Sequence, residues 1–188
     1  MSGVPLLNHD RLFPADPATR ALARQLHASV KDLPIVSPHG HTDPRWFAEN
    51  ASFPDPAQLI VVPDHYLFRM LYSQGVPLES LGVPRADGGA VETDPRAIWR
   101  LFAQHYHLFR ATPSRLWLDH TFETLFGLDV PLSASTADLY YDAIDEKLRQ
   151  DDFRPRALFE RFNIEVIATT EGALDDLRWH AQLKRSGW

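Results

Sequence analysis

The chain has 188 residues, 44% of them hydrophobic and 23% charged, with a net charge of −6 and no cysteine; that balance suits a globular domain with a real core. It excludes a disulfide framework and any thiolate ligand or nucleophile, and without a run of Lys or Arg it argues against nucleic acid or an anionic membrane as partner. No apolar stretch approaches the roughly 18 residues of a membrane span and no basic-then-apolar leader opens the chain, so the expected setting is the cytoplasm.

Four helices announce their own starts. Asp16-Pro17, Asp55-Pro56, Asp94-Pro95 and Thr112-Pro113 each place a capping side chain before a proline at the first helical position. The first helix is predicted over 17–31, with Leu22, Leu26 and Val30 on one stripe, and it leads into a short buried strand at Ile35 and Val36. A helical turn over 44–49 and another opened by Asp55 follow. Asp64 caps a helix over 64–74 that stops at Gly75, with Leu67, Met70 and Leu71 as its buried stripe. Residues 77–92 read as Gly/Pro-punctuated loop. A helix over 95–109 carries Ile98, Leu101, Phe102, His105 and Phe109 on one face, and its aromatics Trp99, Phe102, Tyr106 and Phe109 are core material. The next covers 113–126, with Leu118, Phe122 and Leu125 inward and Gly127 as its stop. Ser135 with Asp138 resembles a capping box opening a helix to about 150. A helix over 155–162 ends at Asn163, and Ile164-Glu165-Val166-Ile167-Ala168 reads as a second buried strand. Beyond Gly172 a last helix is expected, with Leu174, Leu177 and Ala181 on one face and a cap at Ser186-Gly187.

The first strand runs out into His39-Gly40-His41. In extended backbone residues two apart project to one side, so both imidazoles can converge on one metal ion. Gly40 between them permits close approach of backbone or ligand. Nine histidines in a chain of this length give roughly 0.4 such pairs by chance, so the spacing alone is weak. A second pair, His105 and His107, falls inside a helical pattern, where residues two apart diverge around the axis and cannot share a metal. His65 and Tyr66 open a helix, where backbone N–H groups are unpaired and an anion is favoured. Glu171, at the end of the second strand, is in the right place for a site but equally for an ordinary turn. Arg69 reads as a solvated arginine, and His9, His27, His120 and His180 show no partner pattern.

Two parallel strands separated by a helical excursion do not make a stable sheet alone. The expected organisation is therefore one partial α/β domain, the N-terminal part of a (β/α)8 barrel that is mostly helical as given. Residues 1–45 supply a helix and barrel strand 1, 46–162 a helical insertion, and 163–188 strand 2 with its helix. The competing reading is a complete helical domain with a two-stranded appendage.

Three segments in order carry a resemblance: Ser37-Pro38-His39-Gly40-His41-Thr42-Asp43-Pro44, then Pro63-Asp64-His65-Tyr66 through Val76, then Phe162-Asn163-Ile164 through Glu171. Together the chain resembles the uronate isomerases, metal-dependent (β/α)8 enzymes of the amidohydrolase superfamily. The His-x-His pair is shared by the whole superfamily, whereas the Asp-His-Tyr helix start is far more specific. The resemblance implies interconversion of aldo- and keto-hexuronates, such as glucuronate with fructuronate and galacturonate with tagaturonate. It implies His39 and His41 as ligands to a divalent metal ion, zinc being the expected one, and His65 and Tyr66 as catalytic residues meeting a small sugar-acid substrate. It leaves open a homo-oligomer. Where the family commonly has Cys between the two histidines this chain has Gly40, which should be tolerated because that residue is not a ligand. The substrate arginines and the aspartate ligand that the family carries on later strands have no counterpart here, so the chain as given is expected to be inactive. Two alternatives remain: a metal-dependent hydrolase of the same superfamily, and a non-catalytic helical module.

Overall fold

Prolines and the acidic or hydroxyl residues before them set the helix starts, as the sequence predicts. In the computed structural model, which describes residues 6–188, the elements are α1 (Pro17–Val30), β1 (Ile35–Ser37), α2 (Pro44–Glu49), α3 (His65–Ser73), α4 (Pro95–His105), α5 (Pro113–Thr124), α6 (Ala137–Leu148), α7 (Pro155–Arg161), β2 (Ile164–Ile167) and α8 (Arg178–Ser186). Asp16 accepts from Thr19 N at 2.8 Å, Asp55 from Gln58 N at 2.9 Å, Asp94 from Arg96 N at 2.9 Å and Thr112 from Arg115 N at 3.2 Å. Each satisfies a backbone donor that the first helical turn leaves unpaired. The result is a mostly helical chain with a small sheet, divided into two compact units.

The first unit, Phe53–Leu148 with the residues up to Arg11, contains α3 to α6 and a π-helical turn at Ala57–Val61. Its core is aromatic. Trp99, Phe102, Tyr106, Phe109, Phe122 and Tyr140 are all buried, with edge-on or tilted ring pairs such as Phe122 against Tyr140 at 5.0 Å. The polar ends of these rings find partners, as burial requires: Trp99 Nε1 donates to Ala137 O at 2.9 Å, Tyr106 Oη to Asp119 at 2.8 Å, and Tyr140 Oη to Val130 O. Three details differ from expectation. Within the predicted loop over 77–92, Leu78–Leu81 form a 3₁₀ turn that buries Leu81. Ser135 and Asp138 form no capping box: α6 starts at Ala137, the Ser135 hydroxyl meets that of Ser133 at 2.9 Å, and Asp138 binds Arg96 and Arg100 of α4 instead. The helix predicted to 109 ends at His105, and Tyr106–Phe109 continue as a 3₁₀ turn. That turn stacks the His105 and His107 rings at 6.5 Å, rather than splaying them as a continuous helix would.

The second unit comprises Leu12–Ser52 and Arg149–Trp188. Here β1 and β2 pair in parallel, Ile35 with Ile164, Val36 with Val166 and Ser37 with Ile167, with a bulge between Ile35 and Val36. The expectation of buried strands is not met: Ile35 is 48% and Val36 59% exposed. No third strand joins the sheet among the described residues, so its faces lack the helical cover that buries a parallel sheet. For the same reason the Leu22, Leu26 and Val30 stripe of α1 lies in solvent. Packing instead concentrates between α2, α7 and α8. Phe47 stacks on Trp188 at 5.6 Å, and Phe159 meets that indole edge-on at 5.2 Å. Arg156 and Gln182 donate to the carbonyls of Phe47 and Ala48, capping the end of α2. The last helix begins later than predicted. Asp175 accepts from Gly172 N at 2.7 Å to fold a turn, Leu177 is left-handed at φ 51°, and α8 starts only at Arg178. Leu174 therefore projects into solvent instead of joining a buried face.

Candidate active site

Parallel pairing brings the C-terminal ends of β1 and β2 together, and each strand delivers a polar loop there. From β1 come His39 and His41, whose Nε2 atoms stand 3.2 Å apart with ring planes at 83°. As neutral rings, one N–H donates to the other nitrogen. Two nitrogens each about 2.0–2.1 Å from one tetrahedral cation would stand roughly 3.3 Å apart, so this separation also fits a shared ion. Both side chains are exposed, leaving an approach for further ligands. Among the described residues no third His, Cys, Asp or Glu converges on the pair.

The loop is held from both sides. Ser37 Oγ donates to His39 O at 3.1 Å, and Thr170 Oγ1, from the end of β2, donates to Gly40 O at 2.7 Å. A Cβ on Gly40 would sit 3.2 Å from Ala168 O, a tight fit that any larger residue relieves only by a small shift of one loop. The glycine thus lets β1's loop pass close to the backbone just beyond β2.

Beyond β2, Glu171 and His180 face a 570 Å³ pocket that also takes in His41, Thr42, Asp43 and Thr170. His180 Nε2 lies 2.9 Å from Thr169 Oγ1 and 3.5 Å from Glu171 Oε1. Sequence reasoning passed over His180, because its partners lie nine and eleven residues back across an irregular turn. No periodicity links them.

His65 and Tyr66 belong to the other compact unit. Their rings lie side by side at the start of α3, 4.2 Å between centroids, and both are exposed. Asp64 takes the N–H groups of Tyr66 and Leu67 at 2.8 and 3.2 Å, so the backbone donors expected to be unpaired there are already engaged. What the helix start offers is two aromatic polar side chains in solvent. Asp64 fixes the turn that bears them. Arg69, one turn on, is exposed as expected.

Comparison with known proteins gives a consistent result. The family model described as glucuronate isomerase matches residues 16–187. A uronate isomerase of Mesorhizobium japonicum is 66% identical over 185 residues, covering 98% of this chain and 39% of that protein. One of Rhizobium meliloti is 63% identical over 183 residues, covering 97% and 39%. The crystal structure of glucuronate isomerase from Caulobacter crescentus superimposes with a TM-score of 0.93 at 59% identity, over 98% of this chain and 39% of that one. That of a uronate isomerase from Thermotoga maritima, 24% identical with a TM-score of 0.82, shares the fold. The chain thus spans about 39% of the length of the relatives it matches.

Proposed function

The chain belongs to the glucuronate isomerase family, and from that premise we propose that it carries the first two metal ligands and an acid/base pair of a hexuronate aldose–ketose isomerase. The reaction moves a proton between C1 and C2 through an enediolate, interconverting glucuronate with fructuronate and galacturonate with tagaturonate. In this reading β1 and β2 are adjacent strands of a (β/α)8 barrel, residues 46–162 are a helical insertion between them, and the loops after the strands bear the chemistry. The substrate is a small sugar acid, the setting the cytoplasm, and the assembly a homo-oligomer.

His39 and His41 are the residues that would hold a divalent cation, zinc first, through Nε2. Such an ion, when bound, supplies a Lewis acid for the substrate oxygens. The chain's own groups do the rest. Tyr66 Oη can donate to a substrate oxygen and His65 can accept a proton, the roles of a general acid and a general base. Their exposure suits them to meet a ligand rather than to fill a core.

The observation that carries the reading is the 3.2 Å convergence of the two Nε2 atoms at the end of a parallel strand. Titration calorimetry of zinc against the chain and against a His39→Ala/His41→Ala variant tests it. The chain should take up zinc weakly, because two imidazoles leave a tetrahedral site half filled, and the variant should take up none. Equal uptake by both proteins would sink the assignment.

A further inference from the structure

Gly40 is the weak point of the two-histidine pair. Glycine loses more conformational freedom on ordering than any other residue, and here it stands between the two side chains that must keep one spacing. A rotation about its φ or ψ would swing His41 away from His39. The backbone there belongs to no strand, since β1 ends at Ser37 and the chain bends at Pro38 and His39. Something other than a strand ladder holds the Nε2 atoms 3.2 Å apart.

The contacts that fix this stretch differ in reach. Ser37 Oγ donates to His39 O at 3.1 Å, a local bond that stops short of the glycine. Ala168 N donates to Ser37 O at 2.9 Å, which carries the strand pairing one step further and also stops short. Thr170 reaches the glycine itself: its Oγ1 donates to Gly40 O at 2.7 Å, from 130 positions along the chain. Held by its carbonyl, the Gly40–His41 peptide cannot turn without losing that bond. The neighbouring Thr169 has the same hydroxyl but gives it to His180 Nε2 at 2.9 Å. Because the Thr170 bond is exposed, water competes for both partners and its net strength is modest. What it adds is geometry.

We propose that Thr170 is a positioning residue for the metal pair: its hydroxyl, supplied from beyond β2, holds Gly40 so that His39 and His41 present their Nε2 atoms to one cation. The inference deepens the isomerase reading and rests on it for the cation. Thr170 acts through the loop and is not itself a ligand. Two histidines adjacent in sequence thus depend on a residue of the other strand's loop, and metal affinity is tied to the pairing of β1 with β2.

The test uses the 188-residue chain with ¹⁵N-labelled histidine and three variants. Thr170→Val keeps the shape and loses the hydroxyl, Thr170→Ser keeps the hydroxyl, and Thr169→Val removes the neighbouring one. Zinc affinity by titration calorimetry should fall about three- to tenfold in Thr170→Val, the scale of one net hydrogen bond. It should return in Thr170→Ser and be unchanged in Thr169→Val. Without metal, the ring signals of His39 and His41 should move in Thr170→Val, as their N–H···N contact is lost, and hold in Thr170→Ser. A melt confirms folding, and Thr170→Ala serves if the Val variant misfolds. Where the parent chain binds zinc through the pair, unchanged affinity in folded Thr170→Val overturns the proposal, as does an equal loss in Thr170→Ser or Thr169→Val. Where it does not, the metal reading fails and the ring signals decide: moved in Val and held in Ser, Thr170 still positions the pair; unmoved in Val, it does not.

Discussion

Tyr66 and Tyr106 carry the same phenol into opposite surroundings. Tyr66 is 63% exposed at the start of α3, while Tyr106 is fully buried and donates to Asp119 at 2.8 Å. Burial first, and then the Asp119 carboxylate, pushes ionisation of Tyr106 far above the ordinary tyrosine range, so it is locked as a donor. Tyr106→Phe should therefore cost about 1–3 kcal/mol, because Asp119 loses a partner in a half-dry environment. Tyr66→Phe should change stability by less than about 0.5 kcal/mol, as a surface substitution. Urea denaturation of both variants checks this; equal losses would make Tyr66 a packing residue and remove it from the site. At this scale the sequence was partly legible. His39 and His41 could be paired on the expectation of extended backbone, although both lie beyond β1 in a loop that bends at His39 and is held by Ser37 and Thr170. Glu171 could be placed but not weighed, and His180 was invisible, since its partners are set by the irregular turn through Gly172 and Leu177.

Helix starts were readable wherever the cap and its backbone target are neighbours in sequence, as at Asp16, Asp94 and Thr112. They were misread where a distant residue claims the cap. Asp138 has the right spacing for a capping box, yet it pairs with Arg96 and Arg100 of α4 at 3.1 and 3.0 Å, partners about forty residues away that no local pattern reveals. The start of α8 failed for a related reason: the Asp175 turn consumes the residues that the periodicity assigned to the helix. The α4–α6 pairing has a pH signature. Hydrogen bonds from Arg100 and then Arg96 hold the Asp138 carboxyl below its ordinary value of 3.8, and in the same unit Arg85 holds Asp87 at about 2. A carboxyl whose folded value is depressed contributes stability that is fully present above the unfolded value and is lost as pH falls through the folded one. The melting temperature should therefore be level above about pH 5 and fall from about pH 4 towards 2, with a shallower fall in Asp138→Asn. Calorimetric melts across that window decide it; a fall confined to neutral pH would assign the titration to other groups.

For the chain as a whole, apolar periodicity reported which faces are made to be covered, not which are covered. In the first unit the two coincide, because Trp99, Phe102, Phe122 and Tyr140 find one another. In the second, the stripe of α1, Ile35 and Val36 of β1 and Val166 of β2 remain exposed. Open strand edges and apolar patches promote association. The 188-residue chain should accordingly be oligomeric or aggregation-prone by light scattering; a monodisperse monomer with a cooperative melt would favour a self-contained domain. The same shortfall bears on catalysis. Two imidazoles do not complete a tetrahedral centre, no third ligand converges on them among the described residues, and the chain spans 39% of the length of its relatives. We therefore expect no measurable interconversion of glucuronate and fructuronate by the 188-residue chain, followed by coupled reduction of the keto-uronate. A polypeptide extended to the relatives' length should be active. In it, His65→Ala or Tyr66→Phe should lower kcat by about 10²–10⁴-fold, the usual worth of a general acid or base. Stability should barely change, because both side chains stand in solvent. Turnover by the short chain would show that its own residues suffice. Tolerance of both substitutions in the long one would show that the exposed pair at the start of α3 does not touch the reacting atoms.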